Sequence, residues 1–81
     1  MTAQSLISMP HRYCVRYHRG NLTVEFETEP AADALIFYPN DPKVIEGTFE
    51  NGDAVREEVL DWLRKKFDRV EVDVSAKPTF Q

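Results

Sequence analysis

His11, Cys14 and His18 are the residues of this chain suited to binding a soft metal or to serving as nucleophile and base, and they fall within eight positions. Zinc ligands sit about 2.0–2.3 Å from the metal, so they must converge. On a strand His11 and Cys14 point to opposite sides. Cys14 and His18 share a side but stand about 13 Å apart at roughly 3.3 Å per residue. A helix would bring that pair together, but the flanking pattern is that of a hairpin. The chain has no other cysteine or histidine to complete a four-ligand set. We therefore expect no metal and no cofactor. A Cys–His catalytic pair needs the thiolate beside its base and donors for an oxyanion, and the same spacing separates them. The fourteen carboxylates mostly alternate with apolar residues or fall on the outer side of a helix. Gly20, Gly47 and Gly52 are too scattered to form a phosphate loop. The reading is of a protein without catalytic activity.

A second pattern overlaps the first. His11, Arg12, Tyr13, Arg16, Tyr17, His18 and Arg19 interleave cations with aromatics, a mixture that sheet-based RNA binders use for phosphate attraction and base stacking. Arg12, Arg16, Arg19 and His18 are thus candidate contacts for a partner or a nucleic acid. Phe37 and Tyr38, with Phe80, are candidate partner anchors if they are exposed. Charge argues against RNA: the net charge is −4. Residues 1–20 carry three arginines and no acid, and the remaining sixty-one carry seven basic and fourteen acidic residues. The leading expectation is a small acidic module that binds another protein or itself as a homodimer. The alternative is a small RNA-associated domain using the basic hairpin 11–20.

The elements that would position these residues follow from periodicity. From Asn51 to Val74 two periods stand side by side. Val55, Val59, Leu60, Trp62, Leu63 and Phe67 recur at offsets of three and four, one side of a helix over about 53–67. Asp53 suits its N-cap, and Arg64, Lys65 and Lys66 suit the negative end of its dipole. Trp62 is expected in the core, so that its truncation to alanine would cost about 3–5 kcal/mol. From Asp68 the period becomes two: Val70, Val72 and Val74 alternate with Arg69, Glu71 and Asp73, a strand with one buried face.

Upstream, residues 11–27 read as a hairpin. With Arg19-Gly20 as its turn, Tyr17 faces Leu22, Val15 faces Val24, Tyr13 faces Phe26 and Arg12 faces Glu27. Gly20-Asn21 suits a turn equally by chemistry, but is read as setting apolar against polar side chains unless a bulge intervenes. Thr28 to Asp33 is a connection. Leu35 to Tyr38, within an apolar run from Ala34, is a short buried strand, with a short helix from Pro30 to Phe37 as the alternative. Pro39-Asn40-Asp41-Pro42 is a turn by chemistry, and Lys43 to Glu50 is another strand in which Gly47 marks a bulge or a close contact. Residues 1–9 form a short edge strand or fray, Pro10 breaks the chain, and 76–81 are a loose tail.

The order is β-β-β-β-α-β. We expect one α+β domain over 1–81, a small mixed, mainly antiparallel sheet of four to five strands with the helix packed on one face. Its other face should carry Arg12, Cys14, Arg16, Thr23, Glu25, Glu27, Arg69, Glu71 and Asp73. The free edge is expected at Leu35–Tyr38 or at the hairpin, where a second chain could pair. Eighty-one residues leave no room for a second core. A single cysteine allows no internal disulfide, which fits a reducing cytoplasm. The N-terminus lacks the basic start and apolar run of a signal peptide, and no stretch has the eighteen apolar residues of a membrane span.

Overall fold

The computed structural model describes residues 4–50 and 52–74, the side chain of Asp41 excepted. The expected tail, Phe80 included, lies outside the described residues. Among the described residues, five strands, β1 (Leu6–His11), β2 (Cys14–Arg19), β3 (Leu22–Pro30), β4 (Leu35–Glu46) and β5 (Val70–Val72), form one sheet, and a single helix, α1 (Gly52–Lys66), joins β4 to β5. The strands lie in the sheet in the order in which they occur in the chain. β1 to β4 are antiparallel to their neighbours and β5 is parallel to β4. This is the α+β sheet with one helix that the two periods predict.

The register differs from expectation by two residues. Tyr17 faces Val24, Val15 faces Phe26, Arg16 faces Glu25 and Cys14 faces Glu27. The turn is therefore Gly20-Asn21, with Gly20 at a φ of 59°, a region glycine enters without penalty. Moving a two-residue turn by one position shifts the pairing by two, so every side chain keeps its face. The objection that Gly20-Asn21 would oppose apolar and polar residues is corrected on that ground. Tyr13 and Arg12 leave the ladder altogether. They form the turn between β1 and β2, and Tyr13 is 51% exposed.

Three other boundaries move. β1 runs through Pro10, because on an edge strand the missing N–H can face solvent. β3 continues past Glu27 to Pro30, since the alternation simply goes on: Thr28 is buried and Glu29 faces the other way. β4 does not stop at Pro39–Pro42. Glu25 pairs with Lys43 and Glu27 with Tyr38, so the four residues 39–42 stand opposite Phe26 alone, as a bulge rather than a turn. Arg56 of α1 secures the bulge, its Nε donating to the Pro39 carbonyl at 2.9 Å. Gly47 follows β4 at a φ of 88°, and a Cβ there would lie 2.5 Å from the Asn21 carbonyl oxygen.

Val55, Val59 and Leu63, spaced four apart on α1, are buried. They pack on Val15, Tyr17, Val24, Phe26, Leu35 and Phe37 of the sheet. Trp62 and Leu60 are half-buried at the margin, with the Lys66 ammonium 5.3 Å from the Trp62 ring centre. Asp53 lies inside the first turn, not at the cap, and meets Arg56 at 3.4 Å. The expected buried face of β5 reduces to Val70, because Val72 is 40% and Val74 70% exposed. The sheet edges are β1 and β5; Leu35–Phe37 is paired on both sides, which corrects the expected free edge.

Candidate functional site

The helix covers one face of the sheet, and the strand parity decides what the other face shows. β2 contributes Cys14, Arg16 and His18, and across from them β3 contributes Glu27, Glu25 and Thr23. Glu29 follows on β3, opposite Ile36 of β4, which in turn lies beside Glu71 of β5. Lys43 and Glu46 of β4 reach the same face opposite Glu25 and Thr23. Asp73 extends the row, its N–H donating to the Phe37 carbonyl at 2.9 Å. Among the described residues this face carries six carboxylates against three cations, Arg16, Lys43 and, at its edge, Arg69, which meets Glu71 at 2.9 Å.

Its side chains are ordered in cross-strand rungs. Arg16 donates through Nε to Glu25 at 2.8 Å and pairs through Nη2 at 2.6 Å. That hydrogen bond holds the Glu25 carboxyl below the usual carboxylate range. His18 Nδ1 and Thr23 Oγ1 share a hydrogen bond of 2.7 Å. The Tyr38 hydroxyl donates to Glu29 at 2.8 Å, and this bond, with burial and the nearby carboxylates, pushes its pKa up to about 12. Burial and the neighbouring Glu25 push the Cys14 thiol up to about 11. The thiol is therefore protonated at neutral pH and a poor nucleophile. His11 turns away, its Nδ1 accepting the Tyr13 N–H at 3.2 Å. Among the described residues no group of three or more His, Cys, Asp or Glu is placed to hold a metal ion.

The candidate residues named from sequence are scattered. Arg12 sits in the β1–β2 turn and Arg19 ends β2 at the opposite extremity of the sheet, while Arg16 is on the open face and engaged by Glu25. The three arginines do not converge. His18 is half-buried on the open face. Phe37 is 1% exposed, its ring 5.5 Å from that of Phe26 in the core, and so is no partner anchor. Tyr38 is 7% exposed and turns its hydroxyl to Glu29. Sequence reasoning missed Glu29, Ile36, Lys43 and Glu46 on this face. The first was readable, since the period-two pattern of β3 runs on through Thr28 and Glu29. Placing Lys43 and Glu46 required knowing that 39–42 bulges.

No helix of the described residues is long and apolar enough to cross a membrane. No family model matches the chain, no curated protein matches its sequence, and no solved structure matches its fold.

Proposed function

We propose that the chain is a binding module without catalytic activity whose open sheet face takes a basic segment of another protein. The observation that carries this reading is the charge of that face: among the described residues, six carboxylates against three cations, of which Arg16 is engaged by Glu25 and Arg69 by Glu71. Such a field attracts a cationic partner and speeds its encounter. It repels phosphate, and with the arginines dispersed the RNA reading has no single surface to rest on. A second copy presenting the same face would set like charges together, so the reading favours a different protein over a homodimer.

Amide chemical shifts followed during titration with an arginine-rich decapeptide at about 50 mM salt, where such attraction is least screened, test this. Shifts should gather on β3, β4 and β5, and Glu27→Lys with Glu71→Lys should weaken binding by about tenfold or more. A peptide that leaves the spectrum unchanged overturns the proposal. Binding of single-stranded RNA, with shifts near Arg12, Arg16 and Arg19, would replace it with the nucleic-acid reading.

A further inference from the structure

One end of the sheet gathers three connections that the open face does not use. The β1–β2 turn brings Arg12, the β3–β4 turn brings residues 31–34, and the link from α1 to β5 brings Phe67 and Arg69; together they surround a recess of about 430 Å³. Drug-sized ligand sites fall in the range of roughly 300–1,000 Å³. Its walls are small and apolar, from Ala31, Ala32, Ala34 and Leu35, with the half-buried Phe67 beside them.

Each connection is tied down. Thr28, fully buried, donates from Oγ1 to the Arg12 carbonyl at 2.8 Å and from its N–H to the Tyr13 carbonyl at 3.0 Å. Ala31 N–H closes the β3–β4 turn on the Ala34 carbonyl at 2.8 Å, and Leu35 N–H holds the Arg69 carbonyl at 2.9 Å. A recess fixed this way loses little conformational entropy on binding.

Its two guanidinium groups differ. Arg69 is held by Glu71 at 2.9 Å and more loosely by Asp33 at 3.5 Å. Among the described residues Arg12 forms no ion pair or side-chain hydrogen bond, although its backbone is anchored. A planar fork with open donors beside an aliphatic wall matches a carboxylate attached to an apolar body. Asp33 and Asp68 also border the recess, which disfavours dianions such as inorganic phosphate.

We infer that this recess binds a monocarboxylate with a compact apolar or aromatic body, its charge on Arg12 and its body over the alanines. The carboxylate either belongs to a free small acid or ends a peptide chain. Phenylacetate and a tripeptide ending in phenylalanine with a free C-terminus supply the two arms, and phenylacetamide and the amidated tripeptide serve as controls.

Amide shifts on residues 31–35 and 67–69 should saturate with at least one acid. They should fall at least fivefold in affinity in Arg12→Gln and stay unchanged in Arg16→Gln, both checked for native spectra. Tighter binding of the tripeptide than of phenylacetate assigns the site to chain termini, and the reverse order assigns it to small acids. Silence from both acids, or equal binding of the uncharged controls, overturns the inference. The arginine-rich peptide is assigned to the open sheet face and not to this end of the sheet, and Arg12→Gln leaves that face's carboxylates in place, so the two experiments fail independently.

Discussion

At the scale of single residues, the open face is governed by where protons sit. Cys14 and Tyr38 hold theirs more tightly than usual, to about 11 and about 12. The sign follows from linkage: the unfolded chain releases these protons first, so both groups weaken the fold as pH rises from about 9 upward. Denaturant midpoints measured from pH 8 to 11 should fall, and Tyr38→Phe should flatten the upper part of that fall. Glu25 works the other way. Its lowered pKa adds stability above the usual carboxylate range, and that stability is lost as pH drops through the folded value. Cys14 should also react slowly with iodoacetamide at pH 8, and Glu25→Gln should speed the reaction, because it removes the carboxylate that opposes the thiolate. A rate equal to that of free cysteine would refute the assignment.

At the scale of elements, the two glycines at the β2–β3 turn and just after β4 make the sharpest prediction. Gly47 and Gly20 both have positive φ, but only Gly47 is hemmed in, by the Asn21 carbonyl and the Leu22 Cα. Gly20→Ala should cost about 1–2 kcal/mol, the ordinary strain of a left-handed residue. Gly47→Ala should cost clearly more, because the β2–β3 turn has to move away. Equal unfolding midpoints for the two variants would contradict this.

The same region shows what a sequence can reveal. The helix was legible from Val55, Val59 and Leu63 because a 3.6-residue period leaves few alternatives, and β5 from its valines. The register of β2 against β3 was not, because two adjacent turn positions preserve the same faces and only a backbone angle separates them. The bulge at 39–42 was hidden as well. Two prolines end a strand unless something satisfies the freed backbone, and Arg56, seventeen positions downstream, supplies the donor. Of the site residues, the dispersal of Arg12, Arg16 and Arg19 was implicit in the hairpin itself. Glu71 was placed on the open face by the valine alternation and Glu29 was readable from the pattern of β3, but the contribution of Glu46 depended on the unread register of β4.

At the scale of the molecule, one small core carries the fold. A domain of this length has a stability of about 4–12 kcal/mol. Leu63, with no exposed surface, lies between α1 and the sheet, and Leu63→Ala should cost about 2–5 kcal/mol, close to unfolding the less stable end of that range. Trp62 is half-exposed at the margin, so Trp62→Ala should cost less than Leu63→Ala, below the figure expected from the helical pattern alone. Thermal unfolding of the two variants side by side checks the order. It also separates the core from the binding surfaces, since Glu27, Glu71 and Arg12 lie outside it.

Because the strands stand in the sheet in chain order, synthesis and assembly can proceed in step. β1 to β4 pair with neighbours already made, through short loops that close quickly. What they cannot do is hide Val15, Val24, Phe26 and Phe37, because α1, the helix that covers them among the described residues, begins after β4. A chain halted at Glu46 would be a nearly complete sheet with a greasy side. In a cell, the moment between the fourth strand and the helix is when this protein most needs a chaperone.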